Sequence, residues 1–344
     1  MNLRNEGQII SNWIKTEPVV SILCITYNHE NFIDDAICGF LKQETDFPFE
    51  IIIHDDASTD QTPSIIHSYS QKYPKIIKPV LQTENQYSKG KKCAEIAFRY
   101  SKGLFLAICE GDDFWTCDNK LQLQIDFMIS HPNVSFTFHA VDYIDATNKS
   151  IIKNHRNDNK SRYFSMKELI LGGGGFVGTQ SLVLKREIFE NLPGFFYGSP
   201  AADYPLVLLS KLRGDSYYFD KSMACYRTNN DHSEMGSIRK TNVEKIIKRY
   251  ISFSDMLSAF DSYSNMLYTN FIRLKRSSLV INAFRRNCSH LDIDRKRIFC
   301  KIIYDHLIFK HKILLFLCKL PIPTSKNILK KYIINFFKTH KFSF

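Results

Sequence analysis

Two apolar runs in this chain end in the same way, and that repetition constrains the fold more than any other feature. Glu50-Ile51-Ile52-Ile53-His54 runs into Asp55-Asp56-Ala57-Ser58-Thr59-Asp60, and Leu104-Phe105-Leu106-Ala107-Ile108-Cys109 runs into Glu110-Gly111-Asp112-Asp113-Phe114-Trp115. Short β-branched and apolar runs bounded by turn residues read as strands buried on both faces, the signature of a parallel sheet. Adjacent carboxylates at the end of such a strand are awkward to keep for packing alone. The carboxyl ends of strands are where open α/β sheets hold ligands. Paired carboxylates there suit a hard divalent cation bound together with phosphate oxygens. An isolated Asp-Asp reads first as a solvated turn; a second one in a matching context overturns that reading.

The flanking pattern alternates strand and helix. Val19–Thr26 reads as a strand ending at Tyr27-Asn28-His29, followed by a helix from about Asn31 to Leu41 with Phe32, Ile33, Ala36, Ile37 and Phe40 on one face. After Asp60, Pro63 leads a helix over Ser64–Tyr73. Ile76–Leu81 then precedes a helix around Lys92–Tyr100, and Leu104–Cys109 precedes one around Asn119–Ile129. Repeated βα units imply a parallel sheet with helices on both faces. Tyr27, Asp56 and Asp112-Asp113 then emerge along one rim.

Taken together, Ser21–Asn28, Glu50–Asp60 and Cys109–Trp115 resemble family 2 inverting glycosyltransferases of the GT-A fold, and the resemblance runs from about Pro18 to Ser237. It implies an α/β catalytic domain over residues 15–238 with a Rossmann-like, mostly parallel sheet; residues 239–344 remain as an extension that charge and apolar spacing read as helical and basic. It also implies a site. Thr26 and Tyr27 would bind the nucleotide, Tyr27 stacking near its base. Asp56 would accept a hydrogen bond from the base, most naturally the N3–H of uracil. Asp112 would face the ribose, and Asp113 would hold Mg²⁺ or Mn²⁺ against the diphosphate of a nucleotide-sugar donor. Negative charge gathers on that diphosphate as the glycosidic bond breaks, and a bound cation stabilises it.

Inverting transfer needs a base for the acceptor hydroxyl. The resemblance gives this role to Asp203, within Ser199-Pro200-Ala201-Ala202-Asp203-Tyr204-Pro205-Leu206 and ahead of a helix over Leu206–Lys211. On the residues alone, Asp203 reads equally as a helix cap. Ala202 stands where many relatives carry Glu, so the base is Asp203 alone. The displacement passes through an oxocarbenium-like state without a covalent enzyme intermediate.

Other features keep two readings. The stretch Gly172-Gly173-Gly174-Gly175-Phe176-Val177-Gly178 matches no phosphate-loop fingerprint. It is either a flexible connection tolerating positive φ or a loop bringing backbone close to the acceptor, ahead of a strand over Thr179–Leu184. Arg227, closing Met223–Arg227, is a candidate pyrophosphate contact because guanidinium pairs well with phosphate oxygens. Asn229 occupies a position where relatives often carry a His; His232 is a substitute or an exposed His. Lys89 and Lys92 are donor contacts or solvated helix-start charges.

Composition places these motifs. Nine cysteines, scattered singly with no C-x-x-C pair, argue against a disulfide framework or zinc site and for a reducing, cytoplasmic setting. No apolar h-region follows Met1, and no run approaches the roughly 18–20 apolar residues of a spanning helix. Charge is uneven: residues 1–240 carry 26 Lys+Arg against 29 Asp+Glu, and residues 241–344 carry 20 against 6. The tail is amphipathic, with Tyr304, Leu307, Ile308, Leu314 and Leu315 at helical spacing and a last helix over Asn327–Lys338. Basic helices of this kind lie on anionic membranes, here the inner face of the cell membrane, or pack on a catalytic domain with the basic face solvated. No nucleic-acid-binding module accompanies the charge. The expected activity is transfer of a sugar from a nucleotide donor, UDP-linked first, to a surface glycan or lipid-linked acceptor. The rivals are a nucleotidyltransferase, which would show a Gly-rich basic loop where Tyr27-Asn28-His29-Glu30 stands, and a non-catalytic glycan- or membrane-surface-binding protein.

Overall fold

In the computed structural model, which describes residues 3–147, 149–228 and 243–287, ten strands join one sheet. They are β1 (Val20–Thr26), β2 (Phe49–Asp55), β3 (Ile77–Leu81), β4 (Phe105–Glu110), β5 (Phe114–Trp115), β6 (Val134–Asp145), β7 (Ile151–His155), β8 (Arg162–Tyr163), β9 (Val183–Lys185) and β10 (Asp215–Thr228). The order along the sheet is β3-β2-β1-β4-β9-β6-β10-β5, with β7 added to β6 and β8 to β10. β1 pairs in parallel with β2 and β4, β2 with β3, and β6 with β10. β9 runs antiparallel between β4 and β6.

The uninterrupted apolar strands have the origin the sequence suggests: both faces are covered. Leu23, Ile52, Leu106 and Ile108 meet a core that includes helices Met166–Gly172 and Asp203–Arg213. Their neighbours Ile22, Cys24, Ile51 and Ile53 face the opposite core, built on helices Ile33–Leu41, Thr62–Lys72 and Lys120–Ser130. Each such Leu or Ile contributes about 1.5–3 kcal/mol by leaving water, so the alternation fixes strand register firmly. From β1 the chain winds outward through β2 and β3, then returns to β4 on the other side of β1. That reversal opens a crevice beyond the carboxyl ends of β1 and β4, the place where such sheets bind ligands.

Two expected elements are reshaped. The strand over Thr179–Leu184 is a 3₁₀ turn, Thr179–Ser181, followed by the three-residue β9. The Gln180 carbonyl accepts from Trp115 Nε1 at 2.9 Å and the Ser181 carbonyl from Gln124 Nε2 at 3.0 Å, so side chains take the acceptors that a strand partner would need. The helix over Leu206–Lys211 begins at Asp203 and runs to Arg213, because Pro205 is tolerated in a first turn whose N–H groups have no helical acceptor.

Helices Val243–Tyr263 and Thr269–Asn287 pack against the α/β unit. Met256, Leu257, Phe260 and Ile272 enter the first core, and Phe195 meets the Phe260 and Tyr263 rings edge-on. The helices expected near Tyr304–Leu315 and over Asn327–Lys338 lie outside the described residues, as do Asn229 and His232. Among the described residues no helix is long and apolar enough to cross a membrane.

Candidate active site

The acidic turn after β4 sits tightly against the end of β1. The Gly111 N–H donates to the Ile25 carbonyl at 2.8 Å, and a Cβ at Gly111 would lie 2.7 Å from Thr26 Oγ1. Only glycine allows that approach. Its consequence is that Glu110, Asp112 and Asp113 each offer a carboxylate oxygen, all within 4.8 Å of one another. Asp113 is 1% exposed; its Oδ1 accepts from the Arg227 N–H at 2.9 Å, and its Oδ2 is buried with no hydrogen-bond partner. Burial, with Asp112 and Glu110 beside it, holds the Asp113 carboxyl well above the usual carboxylate range, against the pull of Arg227. Thr26 Oγ1, at the tip of β1, is likewise buried without a partner.

These observations test the fit of a divalent cation. An orphaned buried carboxylate oxygen, a raised carboxyl pKa and a cluster of oxygen donors are what a hard cation would satisfy. The residues fit Mg²⁺ or Mn²⁺; Asp113, with Asp112 and Glu110, would hold it.

Arg227, the candidate pyrophosphate contact, is turned into the protein. It is 2% exposed. Nη1 donates to the Asp112 carbonyl at 2.6 Å, Nη2 donates to the Asp35 carboxylate, and the guanidinium lies between the Phe32 and Phe114 rings. Its charge is engaged in bracing the acidic turn.

The second acidic turn joins the first through β1. The Asp56 N–H donates to the Thr26 carbonyl at 3.0 Å. Asn28, in the left-handed region at φ 54°, donates from its N–H to Ser58 Oγ and accepts from the Thr59 N–H, both at 2.8 Å. Ala57 is also left-handed at φ 63°, an uncommon state for a residue with a Cβ. Asp56 is 2% exposed, and its two carboxylate oxygens accept from the Gln86 N–H at 2.7 Å and the Tyr87 N–H at 3.0 Å. Tyr27, 41% exposed, stands at the open edge of this rim. His29 Nε2 comes within 3.9 Å of Asp112 Oδ2.

Asp203 lies at the start of a helix beside the glycine stretch. Its Oδ1 accepts from the Tyr204 N–H at 2.8 Å, and it lines a small, partly open pocket together with Gly173–Gly175, Phe176, Val177 and Tyr204. The glycine stretch therefore meets Asp203. Gly173 and Gly175 are left-handed at φ 79° and 83°, and a Cβ at Gly173 would strike the Lys275 ammonium. Lys275 comes from the Thr269–Asn287 helix and donates to the Leu171 and Gly172 carbonyls at 2.9 and 3.0 Å, closing the end of helix Met166–Gly172. Lys89 pairs with Glu84, and Lys92 donates to the Ser199 carbonyl.

Sequence reasoning missed Gly111, Glu110 as a third carboxylate, the Asn85–Tyr87 segment that holds Asp56, and Lys275. The first two stand inside the quoted motif, adjacent to the assigned Asp pair. Nothing in the local sequence marks the other two, because their partners are distant in the chain.

The family described as glycosyl transferase family 2 matches residues 21–192, half of the 344-residue chain. An uncharacterized protein of Mycobacterium tuberculosis is 33% identical over 215 residues, 60% of this chain and 58% of that protein. The chain thus spans somewhat more than half the length of that relative. The UDP-Glc:alpha-D-GlcNAc-diphosphoundecaprenol beta-1,3-glucosyltransferase WfgD of Escherichia coli is 32% identical over 173 residues, 50% of this chain and 62% of that enzyme. Among solved structures, S. aureus TarS in complex with UDP-GlcNAc superposes with a TM-score of 0.63 at 17% identity, covering 83% of this chain and 80% of that one. A mannosyltransferase from Pyrobaculum calidifontis, in complex with GDP-Man and Mn²⁺, gives 0.51 at 16% identity, covering 88% and 84%. At these identities the two structures establish a shared GT-A fold.

Proposed function

The chain belongs to glycosyl transferase family 2, and we propose that it moves a sugar from a nucleoside-diphosphate donor to an acceptor hydroxyl with inversion at the anomeric carbon. The observation that carries the reading is the unpartnered, buried Asp113 Oδ2 at the β1/β4 crevice, inside a triad of carboxylates. Asp113, with Asp112 and Glu110, would hold a divalent cation, which would neutralise charge on the departing diphosphate. Thr26, Tyr27, Asp56 and Asp112 bind the nucleoside, with Asp56 reading the base through lone pairs that its two backbone N–H donors leave available. Arg227 positions the acidic turn. Asp203 takes the proton of the acceptor hydroxyl as its oxygen bonds the anomeric carbon and the bond to the diphosphate breaks.

The favoured donor is UDP-linked and the favoured acceptor a surface glycan or lipid-linked saccharide. The name of the E. coli relative, which carries both a UDP-sugar and a diphosphoundecaprenol acceptor, supports that choice. Residues 15–238 form the catalytic unit in this reading, and the basic residues 241–344 supply attachment to an anionic membrane face.

Calorimetric titration with UDP, GDP, dTDP and CMP, each with and without Mn²⁺, tests the assignment. We expect metal-dependent binding of UDP that is lost in Asp56→Asn. Binding of no nucleoside diphosphate under either condition would refute the donor site.

A further inference from the structure

We infer that His54, Asp56 and Cys93 form a second metal site, distinct from the acidic turn and suited to Zn²⁺. An imidazole nitrogen, a carboxylate oxygen and a thiol sulfur from these three residues all lie within 4.8 Å of one another. His54, on β2, is fully buried, and neither ring nitrogen has a hydrogen-bond partner. Native interiors rarely leave both nitrogens of a buried imidazole unmet, and a bound ion or water is the usual reason where they do. Cys93 opens the helix Cys93–Arg99 and is 9% exposed.

Donor chemistry selects the metal. One nitrogen, one sulfur and one oxygen match three of the four positions of tetrahedral zinc. The all-oxygen set of Glu110, Asp112 and Asp113 suits Mg²⁺ or Mn²⁺ instead, so the two sites sort different ions. Asp56 arrives oriented: the Gln86 and Tyr87 N–H groups fix its carboxylate from outside, as second-layer partners of a metal ligand do. Binding forms a Zn–S bond and releases the Cys93 thiol proton to solvent. Burial and then Asp56 push that thiol up to about 12, so apparent affinity should rise about tenfold per pH unit across neutral pH. The pattern escapes the cysteine spacing because His54 lies on β2, Asp56 just past its end, and Cys93 on a helix 37 residues beyond Asp56.

The site stands independently of the proposed activity; one consequence rests on it. If Asp56 reads the base, Zn²⁺ and UDP compete.

The test is a Co²⁺ titration of the full chain, read by the thiolate-to-cobalt charge-transfer band and by displacement with Zn²⁺. We expect the band in the wild type and in Asp113→Asn, its loss in Cys93→Ser, and binding at least about tenfold weaker in His54→Val, an apolar exchange that the buried strand accommodates. A band that persists in Cys93→Ser would assign the metal to another cysteine and overturn the proposal. Absence of any band in folded wild type would equally overturn it, leaving His54 to a buried water. Displacement of bound UDP by Zn²⁺ in the wild type, lost in His54→Val, would support the competition. Unchanged UDP binding with the cobalt band present would refute Asp56 as the base reader while leaving the metal site intact.

Discussion

The rim beyond β1, β2 and β4 and the pocket around Asp203 are built on opposite plans. On the rim the candidate side chains sit at the tip of a parallel strand or in the turn beyond it, and short hydrogen bonds tie the two acidic turns to β1 and to Asn28 just past it. In the pocket, a left-handed glycine segment, the first turn of one helix and a lysine from the C-terminal helices converge. Rigid strand tips suit a donor whose phosphates and base must be held in one geometry. In the proposed reading, a glycine loop backed by an appended helix would carry the acceptor side apart from the strand tips that hold the donor.

Exchanging one carboxylate in each region tests that division most severely. Asp203→Asn should lower kcat by about 10²–10⁴-fold, the range for loss of a general base, with UDP binding by calorimetry unaltered. Asp113→Asn should lower turnover by about 10²–10³-fold and abolish metal-dependent nucleotide binding. If Asp203→Asn weakens UDP binding as much as Asp113→Asn does, the two regions are not separate.

The same Asp113 substitution carries a stability signature. In the unfolded chain Asp ionises near pH 3.9, whereas burial raises its folded pKa. Above the unfolded value the folded state binds more protons, so this group's contribution falls as pH rises toward the folded pKa. Metal-free Asp113→Asn should therefore melt higher than wild type at pH 7, and the gap should narrow toward pH 4. A thermal-melt series from pH 4 to 8 without divalent ions decides it; an equal or lower midpoint at pH 7 contradicts the burial of an unpartnered oxygen.

Smaller effects sharpen the comparison. Lys275→Met removes two hydrogen bonds to the end of helix Met166–Gly172, and should cost about 1 kcal/mol by urea denaturation. It should also raise the acceptor KM through the glycine loop and leave donor KM as it was; a raised donor KM would tie the pocket to the rim. Ala57→Gly should stabilise the fold by at most about 1 kcal/mol, because glycine holds the left-handed φ without the Cβ penalty. Destabilisation would mean that the methyl group packs usefully.

Legibility followed the same division. The central strands β1, β2 and β4 lie within one residue of their sequence-based bounds, because a strand covered on both faces is largely apolar; the edge strand β3, half exposed, is found from Ile76–Leu81 to the same precision. Asp56, Asp112 and Asp113 were marked as site candidates by position alone, each just past such a run. β9 was obscured since its neighbouring carbonyls bond to Trp115 and Gln124, contacts spanning 65 and 57 residues. The support that Lys275 gives the glycine loop was hidden for a related reason: it appears in sequence as one charge among many in a basic tail. Arg227 looked like a phosphate ligand because its chemistry permits that role, whereas its burial between two aromatic rings depends on the assembled sheet.

The brace from β10 to the acidic turn also has a meaning in time. Asp113 receives its backbone N–H from a residue 114 positions later, and the same Arg227 reaches back 192 positions to Asp35. During synthesis, β1, β2, β3 and β4 can pair long before residue 227 leaves the ribosome. For that interval the nascent chain carries the acidic motif without its clasp. The acidic turn is clasped late, when the growing polypeptide already holds most of its folded sheet, and distant closures of this kind are slow steps in folding.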